Sequence, residues 1–318
     1  MKDLSKASVS QRRIGEGGVN QRIDNYLSKV LKGVPKSHIY RVLRSGEVRV
    51  NSKRVEPNYR LKRGDNLRIP PVRTAKRPPN PKHSRSSLIL DVLFEDDVLL
   101  AINKPSGVAV HGGSGVSSGI VELLRMREPK PNFLELVHRL DRETSGVLLL
   151  AKKRGALTAL HQKLREGEVE KRYLAMVKGR WINQKQSVEL PLHKYVTAAG
   201  ERRVTVKTGG QPAHTLFFLC KNWPEFSLLE AELKTGRTHQ IRTHLAHLGF
   251  PVLGDPKYGD FALNRALEVR GLKRMFLHAI KLVVKHPTSG KVLRLEAPLP
   301  IDLQQFISKV EGRFERPE

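Results

Sequence analysis

Cysteine is almost absent: Cys220 is the only one in 318 residues. That excludes an intramolecular disulfide and every multi-cysteine zinc or iron–sulfur site. Aromatic residues make up only 6% of the chain, which argues against a reader of splayed bases built on stacking platforms and favours contact with phosphates and shape. Long apolar runs are missing too. Val147–Ala151 is among the longest strongly apolar stretches, far short of the roughly 20 residues a membrane-spanning helix needs. Met1–Lys6 offers no apolar signal core, so a soluble, cytoplasmic protein with no membrane contact is expected. The remaining shortage is of negative charge. Against 58 Lys and Arg stand 31 Asp and Glu, a formal net charge of +27, which points to a polyanionic partner. The plainer reading of such an excess is solubility alone. With 39% hydrophobic and 28% charged residues, the chain has enough apolar material for a packed core.

The excess is uneven. Residues 1–86 hold 22 Lys/Arg and 6 Asp/Glu, a net +16, and the other 232 residues carry +11. A segment over residues 70–87, with five prolines, several cations and no apolar periodicity, reads as an extended linker. The expected organisation is a basic tail over 1–18, a small domain over 19–82 running into that linker, a larger domain over 88–310, and a tail over 311–318 with no assigned function.

In the small domain, Ile23, Tyr26, Leu27 and Val30 have helical spacing. Pro35-Lys36-Ser37 opens a second helix, with Ile39, Val42 and Leu43 on one face and Lys36, Arg41 and Arg44 on another; Ser45-Gly46 closes it. Short strands are expected at Val48–Val50, Lys53–Val55 and Asp65–Ile69, with Asn51-Ser52 as a turn. Arg22-Ile23-Asp24, Gly46-Glu47-Val48-Arg49-Val50-Asn51 and Gly64-Asp65 in this order resemble the S4-type RNA-binding domain. Its candidate RNA contacts are Arg22, Lys36, Arg41, Arg44, Lys53 and Arg54. A DNA-binding helix-turn-helix is the competing reading; the hairpin that follows argues against it, and no DNA partner is expected.

In the larger domain, strands are expected at Leu88–Phe94, Val98–Asn103, Val147–Ala151, Glu170–Val177, Phe226–Leu233, Phe276–Val284 and Val292–Glu296, and a helix at Gly155–Glu166. Many strands and few helices without regular alternation predict an α+β domain with a mainly antiparallel sheet. His111-Gly112-Gly113-Ser114-Gly115 lacks the Gly-Lys-Ser/Thr ending of a nucleotide P-loop and reads as a turn near a site.

Two segments carry chemistry. His138-Arg139-Leu140-Asp141-Arg142-Glu143-Thr144-Ser145-Gly146 puts Asp141 in a turn before an apolar strand. A turn aspartate is most often a structural cap, but Arg139 and Arg142 flank this one, and cations keep a carboxylate ionised. Paired-acid glycosidase chemistry needs a protonated second carboxyl, and nothing protects the proton of Glu143. In Gly236-Arg237-Thr238-His239-Gln240-Ile241-Arg242-Thr243-His244, Thr238 is expected to cap a helix running to Gly249. His244 and His247 invite a metal assignment, which Arg237 and Arg242 oppose; no metal is expected.

Together with Lys171-Arg172-Tyr173-Leu174-Ala175, these segments are similar to the three catalytic segments of the RluA-type pseudouridine synthases, in the family's order. The likeness spans about residues 19–300 and includes members acting on bacterial 23S ribosomal RNA. It implies a mixed, mainly antiparallel sheet flanked by helices around a central cleft, and isomerisation of uridine to pseudouridine in RNA. No cofactor is implied, and a monomer is expected. By position, Asp141 matches the essential aspartate, Tyr173 the active-site tyrosine, Arg242 the arginine that pairs with the aspartate, and Arg139 the residue that fills the space left by the target nucleotide. His138, Lys171 and Arg237 are further candidate substrate contacts. The alternative is a non-catalytic RNA-binding or ribosome-assembly factor on the same scaffold.

Overall fold

The computed structural model describes residues 9–31, 33–72, 90–112, 119–126, 133–198 and 200–314. Most of the expected linker, the glycine run from Gly113 and the last four residues lie outside these. The chain divides between residues 89 and 90 into two compact units.

The first unit contains β1 (Ser10–Arg13), α1 (Ile23–Val30), α2 (Lys36–Arg44), β2 (Arg49–Val50) and β3 (Asn66–Ile69), with a sheet of order β1-β3-β2. Helical periodicity turns Ile23 and Leu27 of α1 and Ile39, Val42 and Leu43 of α2 onto Val48, Leu61 and Leu67. Fully burying each such side chain contributes about 1.5–3 kcal/mol.

Two expectations change here. Residues 9–18 are not a tail: β1 pairs with β3, and Ile14 is buried in the core. Lys53–Val55 does not form a strand; Lys53 makes a single bridge to Val50, and β3 pairs with β2 instead. The cause is Asp65, whose carboxylate accepts from Asn51 Nδ2, Tyr59 OH and the Lys62 N–H. That buried acceptor folds the intervening segment into a loop.

The second unit runs β4 (Asp91–Glu95), β5 (Leu99–Lys104), α3 (Ile120–Arg125), β6 (Glu135–Leu136), β7 (Ser145–Ala151), α4 (Arg154–Glu166) and β8 (Glu170–Lys178). It continues through β9 (Lys185–Glu189), β10 (Leu192–Val196), β11 (Arg202–Val206), β12 (His214–Asn222), β13 (Phe226–Leu233), α5 (Gln240–His247), α6 (Phe261–Val269), β14 (Leu277–Lys285), β15 (Val292–Glu296) and α7 (Ile301–Phe314). The main sheet has the order β4-β5-β7-β14-β8-β13-β12-β9, with β15 on β14 and β6 on β7; β10 and β11 form a separate hairpin. Among the described residues every strand pair is antiparallel except β7 with β14. One core joins α4 to the sheet through Leu157, Leu160, Leu149 and Leu282. A second joins α6 and α7 through Leu267, Leu303 and Phe306 to Met176 and Phe276. Helix α7 continues through residues 311–314, so the expected tail begins inside it; Lys221 pairs with Glu311 at 2.7 Å.

The parallel contact positions the site. β7 pairs with β14 at Ser145–His278 and Gly146–Ala279, whereas β15 pairs with β14 from Lys281 onward. Gly146 sits at φ 110°, and a Cβ there would overlap the Ala279 carbonyl oxygen. This close approach fixes the start of β7, and hence the turn before it.

Candidate active site

Asp141 lies in that turn, closed by the Thr144 N–H on the Asp141 carbonyl at 3.2 Å. Beneath it Lys104, at the end of β5, is fully buried and donates to the carbonyls of Pro105, Val108 and Arg142 at 2.8, 2.8 and 3.0 Å. Burial pushes the Lys104 ammonium down to about 7, while three carbonyl acceptors use all three of its protons. Ser106 Oγ donates to the Glu143 carbonyl and Gly107 N–H to that of Arg142, at 2.6 and 2.9 Å. The 104–108 loop therefore holds the Arg142 and Glu143 carbonyls, just past Asp141, by three hydrogen bonds.

Asp141's charge partner comes from α5. Arg242 Nη1 donates to Asp141 Oδ2 at 2.8 Å, while Nε and Nη2 clamp both oxygens of Asp255 at 2.7 Å each. Arg242 is 3% exposed, Asp255 not at all, and the Asp141 side chain 25%. Burial alone lowers the guanidinium's pKa, but hydrogen bonds to Asp255 and the two carboxylate charges hold it above its ordinary value. Burial likewise opposes ionisation of Asp255, yet Arg242 and the Lys257 and Tyr258 N–H groups keep its carboxyl below the usual range. The arginine is thus anchored from behind and delivers one donor to Asp141. The flanking Arg142 does not take this part; its Nε goes to the Gly107 carbonyl at 2.9 Å.

Helix α5 starts differently from the expectation. Its N-cap is His239, at φ 53°, and Thr238 makes no capping bond. Gln240, the first residue of the helix, instead ties down the turn before it: its Oε1 accepts from Thr235 Oγ1 and the Arg237 N–H at 2.8 and 2.9 Å. The strained His239 backbone aims the imidazole into the site, with Nε2 3.9 Å from Asp141 Oδ1 and Nδ1 2.7 Å from Tyr258 OH. Both nitrogens of His244 are occupied, by Thr215 Oγ1 and the Leu190 carbonyl at 3.0 Å each.

Of these groups Asp141, His239, Gln240 and Arg242 line a cleft of about 900 Å³. Tyr173 on β8 is buried in its wall, and burial together with the Asp141 charge pushes the phenol's pKa up. Lys171, two residues earlier on the same strand, is buried in the wall as well, and burial lowers its pKa. Arg139 is exposed at the edge. The cleft joins a carboxylate, an anchored arginine, an aromatic ring and several cations, a set suited to a flat, polar base on a phosphate backbone.

The chain matches the RNA pseudouridylate synthase family over residues 98–247 and the S4 domain over residues 21–67. It is 50% identical over 298 residues to ribosomal large subunit pseudouridine synthase C of Escherichia coli (strain K12), covering 92% of this chain and 93% of that protein. The chain belongs to the RNA pseudouridylate synthase family. A second relative, ribosomal large subunit pseudouridine synthase C of Pasteurella multocida (strain Pm70), is 48% identical over 304 residues, covering 94% of this pseudouridylate synthase and 93% of the relative. Among solved structures, human RNA pseudouridylate synthase domain containing 4 superimposes with a TM-score of 0.57 at 26% identity, over 72% of this chain and 95% of that one.

Within this pseudouridylate synthase, Asp141, Tyr173, Arg242, Arg139, His138, Lys171 and Arg237 all line the one cleft. Two of them have structural duties. His138 Nε2 accepts the Leu149 N–H at 3.1 Å, tying the Asp141 segment to β7; burial and Lys171 push its pKa down to about 4, so the ring is neutral. Arg237 Nε donates to the Pro212 carbonyl at 2.9 Å. The small unit's Lys36, Arg41, Arg44, Lys53 and Arg54 are exposed, whereas Arg22 pairs with Asp24 at 2.7 Å. Asp255, His239, Tyr258 and Lys104 were not singled out from the sequence. Gly254-Asp255-Pro256 reads as an ordinary turn, and only the fold brings it under Arg242.

Proposed function

We propose that this pseudouridylate synthase isomerises selected uridines of bacterial large-subunit (23S) ribosomal RNA, acting in the cytoplasm as a monomer without a cofactor. The first unit anchors RNA, and the second performs the chemistry. In that reaction the N1–C1′ bond breaks, the base turns within the cleft, and C5 bonds to C1′. The C5 proton is released as N1 gains one, so RNA mass is unchanged.

The observation that carries the reading is the Asp141–Arg242–Asp255 array, whose first two members line the cleft. Arg242 donates to Oδ2 of Asp141, a residue that lines the cleft, and no hydrogen bond from a described residue takes the other oxygen, Oδ1. That oxygen attacks C1′ or C6, or takes a ribose proton. Tyr173 stacks on the uracil. With its pKa raised by burial and by Asp141, it keeps its proton at neutral pH and acts as a neutral phenol. Arg139 enters the gap left when the nucleotide leaves its stack, a step costing a few kcal/mol, and Lys171 and Arg237 meet backbone phosphates. The two relatives carry large-subunit pseudouridine synthase names, which supports that substrate over transfer RNA.

The test is pseudouridine mapping of large-subunit RNA from cells with and without the gene. Loss of particular pseudouridines without it, and their return on complementation, is expected; identical maps contradict the assignment. Intact-mass measurement of the treated RNA separates isomerisation from base release, because only the latter lowers the mass.

A further inference from the structure

The first unit has a second basic surface, distinct from α2. β3 turns Leu67 and Ile69 into the core and Asn66 and Arg68 outward. Across the sheet Arg68 stands opposite Gln11 on one side and Arg49 on the other, while Arg13 stands opposite Asn66. Like charges directly opposite each other weaken a sheet. Among the described residues, no carboxylate pairs with Arg13, Arg49 or Arg68. The one acid in the adjoining turn, Glu47, accepts from Ser45 Oγ at 2.7 Å.

The two central arginines are also held in place. Arg49 Nε donates to the Gly46 carbonyl at 3.2 Å and Arg68 Nη1 to the Glu47 carbonyl at 3.0 Å. Both guanidinium groups therefore rest on consecutive carbonyls of one turn and keep their other N–H groups free for a ligand. Gly46 itself, at φ 73°, could not carry a side chain without striking Arg54, so this turn gathers three arginines. Gln11, Arg49, Ser52, Asn66 and Arg68 line a shallow concavity of about 330 Å³.

We propose that this outer sheet face, centred on Arg49 and Arg68, is an additional RNA-backbone site of the first unit; the proposal rests on the RNA reading above. Planar guanidinium forks fixed in advance suit phosphate oxygens and lose little side-chain freedom on binding. The uncharged amides of Gln11 and Asn66 and the Ser52 hydroxyl can exchange hydrogen bonds with ribose 2′-hydroxyls. The lining has no apolar or aromatic side chain, so it offers no purchase to a lipid bilayer or to the apolar centre of a protein interface.

The experiment measures binding of the full chain to unmodified large-subunit RNA across a salt series, with tritium release followed on the same RNA. Arg49→Gln with Arg68→Gln should reduce the slope of log K against log salt by about 1.4–1.8, the release expected from two phosphates. Arg49→Lys with Arg68→Lys should keep the slope. An unchanged slope in the Gln pair overturns the proposal, as does an equal loss in the Lys pair, which would trace the effect to a disturbed fold. A wild-type chain that binds but releases no tritium contradicts the enzymatic reading and leaves this one standing or falling on the slopes.

Discussion

Arg242 commits two donors to Asp255 and one to Asp141, so its position depends on a fully buried acid. Asp255→Asn keeps the shape and removes the charge, leaving a buried guanidinium under-compensated. Breaking a buried pair in this way costs about 3–5 kcal/mol. The expected outcome is a lower urea midpoint and a fall in kcat with RNA affinity retained; wild-type stability would contradict it. The pH dependence follows from the depressed Asp255 carboxyl. Above the unfolded value of about 3.9 its stabilisation is fully present, and it disappears as pH falls through the lower folded value. The stability gap between wild type and Asp255→Asn should therefore stay constant from pH 7 to about 5 and close only in stronger acid. Tyr173 titrates in the opposite sense. Its phenol is pushed above its ordinary value of about 10, so deprotonation contributes no rise in activity between pH 7 and 9. A rise with pH that disappears in Tyr173→Phe would make the tyrosinate the base.

At the scale of elements, the site depends on where β7 begins. Gly146→Ala would drive a methyl group into the Ala279 carbonyl at a backbone angle that L-residues rarely adopt. Separation of β7 from β14 should lower the melting temperature and displace Asp141, with kcat reduced more than RNA affinity. An unchanged melting curve would contradict the packing argument. β7 was legible beforehand because Val147–Ala151 is an unbroken apolar run, and α4 because its leucines recur at helical spacing. β1 was not: Ser10-Gln11-Arg12-Arg13 is an exposed edge strand with no apolar alternation, so periodicity carries no signal there. The helix of Arg242 is visible in its apolar stripe, but its start is not: the chain enters it through a left-handed His239 backbone, which the neighbouring Thr238 hydroxyl does not announce. Asp141, Tyr173 and Arg242 were each recognisable within their segments. Asp255 was not, because its meaning comes from a contact across the fold.

For the whole molecule, the +27 charge divides into a larger share before residue 87 and a smaller one after it, and the two compact units part near the same point. Removing residues 1–87 should lower RNA affinity and flatten its salt dependence while leaving some turnover on short RNA; an unchanged salt slope would make the amino-terminal charge a solubility device only. The central claim is that Asp141, held by Arg242, is the group that moves uridine to pseudouridine. Its most direct test is single-turnover tritium release from 5-tritiated uridine in unmodified large-subunit RNA by the wild-type chain and by Asp141→Asn. Release is expected from the wild type and none above background from the variant, with RNA binding retained. Release by Asp141→Asn at the wild-type rate would contradict it.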